Sequence, residues 1–116
     1  MRRYTVRPRI RIVDDRDTIV FGPGKADLLE SIARTGSIRG AAAELDMSYM
    51  RAWNLVKTMN AAFRAPLVEK ERGGTGKGGA QLTAAGTRVL RIYRKMEQRA
   101  LRSIDASWRE LEDELS

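Results

Sequence analysis

Residues 37–64, SIRGAAAELDMSYMRAWNLVKTMNAAFR, decide how this chain folds. They read as two short helices joined by a tight turn. Ser37 stands where an N-cap is wanted for a helix ending near Leu45, and Ser48 where one is wanted for a helix running to about Arg64, because a hydroxyl there accepts an orphan first-turn N–H. At 100° per residue Ala52, Leu55, Val56, Met59 and Phe63 fall on one side of the second helix. Met50, Arg51, Asn54, Lys57, Thr58 and Ala61 fall on the other, with Trp53 and Asn60 at the boundary. Ala41-Ala42-Ala43 lets the two helices cross closely, as a helix-turn-helix requires. The turn carries Asp46-Met47 where a glycine is common, and aspartate tolerates the left-handed conformation such a turn needs. Pro66 ends the second helix.

Working outward, Gly22-Pro23-Gly24 and Gly36 bracket a helix from about Lys25 to Thr35, with Leu28, Leu29 and Ile32 inward and Gly36 as its C-terminal cap. Before it, residues 9–13 and 18–21 are β-prone runs around Asp14-Asp15-Arg16-Asp17. They read as a β-hairpin with Arg7, Arg9 and Arg11 on one face and Ile10 and Ile12 on the other. After it, residues 67–72 and 80–82 read as two antiparallel strands, and Thr83 caps a long final helix over 83–115. The fold class is mainly α with a small β component: one winged helix-turn-helix domain over 1–116, with an N-terminal hairpin and a long C-terminal dimerisation helix.

The strands flank the glycine-loaded loop of residues 73–79, GGTGKGG. Gly74, Gly76 and Gly79 satisfy GxGxxG, but no strand follows the last helix to complete a dinucleotide-binding βαβ unit. Gly76-Lys77 has the look of a P-loop, but Glu71 stands at its first glycine and Gly78 replaces its Ser/Thr. The remaining reading is a hairpin tip, a wing, that carries Lys70, Arg72 and Lys77 to a phosphate backbone.

Composition narrows the partners. The 116 residues make one domain, and 22 Lys+Arg against 15 Asp+Glu give a net charge of +7, which favours a polyanion. There is no cysteine and no histidine, so disulfides, thiolate metal sites and Ser-His or Cys-His catalysis are all excluded. No signal peptide and no membrane-spanning run of ~18 apolar residues occurs, and a cytoplasmic, non-enzymatic protein is expected. No catalytic residue and no metal site are expected either.

In the final helix Val89, Tyr93, Met96, Ala100, Ile104, Trp108, Leu111 and Leu115 recur at spacings of three and four. A stripe that long outgrows a small core, and a second copy of the chain is the economical cover. Arg88, Arg91, Arg94, Lys95, Arg99 and Arg102 lie in its first half, and Asp105, Glu110, Glu112, Asp113 and Glu114 in its second. An antiparallel homodimer sets each half against its complement.

The segments SIRGAAAELDMSYMRAWNLVKTMN and LVEKERGGTGKGGAQLTAAGTRVL resemble the N-terminal DNA-binding domain of the ModE molybdate-responsive transcription regulators, over roughly residues 7–105. They are similar, more distantly, to the winged helix of LysR-type regulators. The most specific parts are the pattern Ser48-Tyr49, Ala52-Trp53, Met59-Asn60 and the segment Gly76-Lys77-Gly78-Gly79, Leu82-Thr83, Gly86. The resemblance implies that the helix beginning at Ser48 is the recognition helix, that residues 73–79 are the wing, and that the terminal helix dimerises. Double-stranded DNA and a second copy are then the partners. On this reading Ser48, Tyr49, Arg51, Asn54, Lys57 and Thr58 face DNA, with arginine suited to guanine and asparagine to adenine. Ser37 and Arg39 meet phosphates at a helix start, Lys70, Arg72 and Lys77 serve the wing, and Arg2, Arg3 and Arg7 form a flexible arm. In those regulators molybdate binds in further domains for which 116 residues leave no room, so no cofactor and no direct molybdate binding are expected. Two other readings of the basic face remain: a non-specific nucleoid-associated or RNA-binding module, and a winged helix that binds protein.

Overall fold

The structure, a computed structural model, describes residues 2–71 and 79–116. In chain order it places β1 (Ile12–Val13), β2 (Ile19–Phe21), α1 (Pro23–Thr35), α2 (Ile38–Glu44), α3 (Tyr49–Ala62), β3 (Val68–Lys70), β4 (Ala80–Leu82), α4 (Ala84–Ser103) and α5 (Asp105–Glu112). The mainly helical winged arrangement expected from the sequence is what forms.

Three side-chain caps set the helix starts. Ser37 Oγ accepts from Gly40 N at 2.8 Å, Ser48 Oγ from Arg51 N at 3.1 Å and Thr83 Oγ1 from Gly86 N at 2.9 Å. Gly36, left-handed at φ 77°, closes α1, and Asp46 adopts φ 56° in the turn between α2 and α3. Aspartate takes the place of glycine there, as its short polar side chain allows. The core lies under this helical triad: Leu28, Leu29 and Ile32 of α1, Ala41 and Ala42 of α2, Ala52, Val56 and Met59 of α3, with Phe21, Leu67, Val68, Ala80 and Tyr93. Phe21 binds its parts edge to face, with ring centroids 5.7 Å from Phe63 and 5.1 Å from Tyr93.

Two antiparallel pairs complete the fold. β3 and β4 register Val68 with Leu82, Glu69 with Gln81 and Lys70 with Ala80. Their outer end is tied to the start of the helix-turn-helix: Ala80 N donates to the Gly36 carbonyl at 2.9 Å, and Ser37 bridges to Gly79. Asn60, a boundary residue on the helical wheel, fastens the inner end. Its Oδ1 accepts from Leu67 N and Val68 N, and its Nδ2 donates to the Val68 carbonyl. α4 crosses close to Leu67, where a Cβ on Gly86 would collide with the Leu67 carbonyl oxygen. The ladder is shorter than the 67–72 run predicted.

Three further expectations are corrected. The final helix is not continuous over 83–115. It stops at Ser103, whose hydroxyl donates to the Ala100 carbonyl at 2.8 Å, and restarts after Ile104 at φ −100° and ψ 0°. Serine back-bonding of this kind bends helices. The N-terminal hairpin is shorter than predicted, with a register shift between Ile12 and Val13, and Ile12 is exposed. Arg7, expected in a flexible arm with Arg2 and Arg3, lies instead in an extended segment held against the domain. Residues 4–10 alternate, Tyr4, Val6, Pro8 and Ile10 half-buried and Thr5, Arg7 and Arg9 exposed, so they form an extended strap beside α4. The Tyr93 hydroxyl donates to the Ile10 carbonyl at 2.6 Å, and the Tyr4 hydroxyl to the Ser116 carbonyl at 2.9 Å.

Candidate nucleic-acid interface

α3 carries the polar surface of interest because α2 and the core hold its opposite side. Ala52, Val56 and Met59 are buried, while Arg51, Asn54, Lys57 and Thr58 are all exposed. The helical-wheel division therefore holds in three dimensions. Ser48, Met50, Arg51, Asn54, Leu55 and Thr58 line an open hollow of about 420 Å³. Ser48 spends its oxygen lone pair on Arg51 N, which leaves its hydroxyl hydrogen free for an outside acceptor. Ser37 is in the same state at the start of α2. Thr58 differs: its hydroxyl already donates to the Leu55 carbonyl at 3.0 Å, so it meets a ligand as an acceptor.

Two cations on this surface rest on aromatic rings. The Arg39 guanidinium lies 4.6 Å from the centroid of Tyr49, linking α2 to α3, and Lys57 Nζ lies 4.6 Å from that of Trp53. An attraction of this kind holds a long, flexible cation in place without neutralising it. On the helical wheel Trp53 has only a boundary position; its spacing of four from Lys57 on a helix is the signal for the pair.

At the wing, Lys70 is exposed on the last residue of β3, and Glu71 N donates to the Gly79 carbonyl at 3.0 Å. Arg72 and Lys77 lie outside the described residues. Beneath the interface, Ser31 and Arg34 of α1 both donate to Glu44 of α2. The hydrogen bonds from Arg34 and then Ser31 hold the Glu44 carboxyl below its ordinary range.

The terminal stripe divides between two environments. Tyr93 is 2% exposed and lies in the chain's own core, which corrects its assignment to the dimerisation set; burial, then the Glu97 carboxylate, pushes its hydroxyl up. Val89 is half-buried against the same core. Ala100, Ile104 and Trp108 are half-buried, whereas Met96 and Leu111 are exposed. Arg94, one of a run of cations in the sequence, turns inward and pairs with Asp27 at 2.9 Å, Glu30 at 3.3 Å and Glu97 at 2.9 Å. Burial alone would lower its guanidinium, but hydrogen bonds to Asp27 and Glu97 outweigh it, and the net direction is upward. Asp27 and Glu30, three apart on α1, are the sequence signal for this partner.

Among the described residues no cluster of three His, Cys, Asp or Glu is arranged to hold a metal ion, and no helix is long and apolar enough to cross a membrane.

The helical triad, the strand pair and the start of α4 are the part of the chain that a known family matches: residues 25–87 fit bacterial regulatory helix-turn-helix proteins, lysR family. The chain belongs to that family. The resemblance to ModE regulators is borne out as well. This lysR-family chain is 41% identical over 86 residues to the molybdenum-pterin-binding protein MopB of Rhodobacter capsulatus, covering 74% of this chain and 32% of that one. It is 37% identical over 83 residues to the DNA-binding transcriptional dual regulator ModE of Escherichia coli, covering 72% of this chain and 32% of that one. The chain spans about a third of the length of these curated relatives. Its fold is similar to the crystal structure of the CbnR_DBD–DNA complex, with a TM-score of 0.60 and 25% identity, covering 76% of this chain and 95% of that one.

Proposed function

We propose that this lysR-family chain is a DNA-binding transcription regulator that acts as a homodimer in the cytoplasm and recognises a defined sequence. The observation that carries the proposal is the face of α3. Arg51, Asn54, Lys57 and Thr58 stand clear of the core on a helix locked by its apolar side, at a width that enters the major groove. Membership of a regulatory helix-turn-helix family supports the same reading.

The division of labour follows from chemistry. Arg51 reads guanine through paired N–H donors, and Asn54 reads adenine. Ser48 and Thr58 add a hydroxyl donor and a hydroxyl acceptor at the two ends of the hollow. Ser37, Arg39 and Lys57 take backbone phosphates, Arg39 steadied by Tyr49, and the wing with Lys70, Arg72 and Lys77 lies along the backbone or minor groove. One domain fills the chain, and a second copy joins it through α4 and α5 using Met96, Ala100, Ile104, Trp108 and Leu111. Two-fold symmetry then makes the operator a near-palindrome.

The experiment is selection of bound sequences from a random duplex pool, followed by charge reversal with Arg51→Glu and Lys57→Glu. An enriched inverted repeat is expected. The reversals are expected to weaken binding to it by at least about tenfold and to reduce the slope of log affinity against log salt by roughly one for each phosphate no longer neutralised. Binding without sequence enrichment would indicate a nucleoid-type module instead, and unchanged binding by the reversed variants would remove α3 from the interface.

A further inference from the structure

Met50 is out of place on the surface it occupies. It is 64% exposed, more than any other large apolar side chain among the described residues, and it sits on the polar side of α3 rather than on its core side. It has no part in the core cluster or in the apolar layer packed against it. It lines the hollow with Ser48, Arg51, Asn54 and Thr58, and it precedes Asn54 by one helical turn. It is also the second residue of α3, at the end from which recognition helices reach base edges.

The major groove offers one apolar group on its base edges, the C5-methyl of thymine; every other recognition feature there is a donor or an acceptor. We propose that Met50 is a specificity-determining residue that packs its thioether side chain against a thymine methyl, next to the base read by Asn54. The inference rests on the reading of α3 as a major-groove helix and adds the identity of one base pair to it. Methionine suits the task because its unbranched side chain adapts to a small apolar target that rigid residues would have to meet at a fixed angle. In each half-site the base facing Met50 is therefore thymine, and cytosine is rejected there because it brings a polar amino group and no methyl to the same place.

The test removes the methyl without touching the hydrogen-bonding pattern. In the sequence enriched by the wild-type chain, each thymine is replaced in turn by deoxyuridine, and binding is measured for the wild type, Met50→Ala and Met50→Leu. The expected result is one thymine per half-site whose replacement weakens wild-type binding about fourfold, as expected for burying one methyl group. The same replacement should leave Met50→Ala unaffected and should still weaken Met50→Leu. Met50 lies outside the core, so thermal unfolding of Met50→Ala should match the wild type. A thymine whose replacement weakens wild type and Met50→Ala equally, or no sensitive thymine at all, overturns the inference while leaving the major-groove reading of α3 intact. Failure of the wild type to enrich any sequence overturns both.

Discussion

Single residues in this fold have roles that their chemistry states sharply. Gly86 is the clearest. A glycine inside a helix ordinarily costs about 1 kcal/mol relative to alanine, so Gly→Ala in α4 would be expected to stabilise the chain. Here the added Cβ meets the backbone carbonyl of Leu67, which cannot swing away as a side-chain tip can. Leu67 is itself pinned, its N–H bonded to Asn60 and its carbonyl accepting from Thr83 N at 3.0 Å. Overpacking at such a point costs about 1–3 kcal/mol. Gly86→Ala should therefore lower the thermal midpoint by several degrees, read by circular dichroism, although propensity alone argues the opposite sign. Asn60 shows a related lesson. On the wheel it was a boundary residue of no assigned use, and a polar residue at that position has many possible partners. Only the return of the chain at Leu67 and Val68 makes it the clamp between α3 and β3.

Elements, taken pairwise, explain how the interface is held ready. α2 and α3 are joined by buried alanines at their crossing and, on the outer surface, by the Arg39–Tyr49 stack. If the ring serves to hold the guanidinium against a phosphate, removing either partner removes the same contribution. Arg39→Ala and Tyr49→Ala should each weaken DNA binding. The double variant should then be weaker than the Arg39 variant by little or nothing, with a coupling of roughly 0.5–1 kcal/mol. Tyr49→Phe keeps the ring and should bind as the wild type does. Additive losses, or a loss on Tyr49→Phe, would show instead that Tyr49 contacts DNA through its own hydroxyl. Legibility also sorted by element. α1, α2 and α3 were readable because their signals are local: Ser37, Ser48, Gly36 and a 3.6-residue apolar period. The polar face of α3 followed from that period. The strap over residues 4–10, the break at Ile104 and the burial of Tyr93 were not readable, and Tyr93 shows why: its partner, Ile10, is distant in the chain. Tyr4, Val6, Pro8 and Ile10 do alternate, but the arginines among them suit a solvated arm equally well, so the pattern alone does not select a strap.

At the scale of the whole molecule the extended shape is the fact to explain. The radius of gyration is 17.0 Å and the longest extent 56 Å, against roughly 13 Å expected for the radius of a compact chain of this length. α4 and α5 produce the excess, and they carry exposed apolar side chains away from the core: Ile92, Met96, Leu101 and Leu111. The proposed homodimer through these helices would cover that surface, and the charge pattern would select its direction. Apart from Arg94, which pairs within its own chain, the cations of residues 88–102 would meet the carboxylates of residues 105–114 only if the two copies run antiparallel, whereas a parallel pair would place like charge against like. The midpoint between the two blocks falls near Leu101 and Arg102, so in such a pair Arg91 of one copy would lie close to Glu112 of the other. The chain has no cysteine, so engineered thiols report geometry without interference. Arg91→Cys and Glu112→Cys, mixed under mild oxidation, should cross-link to each other in preference to self-pairing, and light scattering at micromolar concentration should give twice the chain mass. Self-paired products in excess would establish a parallel dimer, and a monomeric mass would remove α4 and α5 as an interface. Met96→Glu together with Leu111→Glu should shift the wild-type dimer to monomer with its helical content unchanged. Operator affinity should fall with it, because a monomer holds only one of the two half-sites.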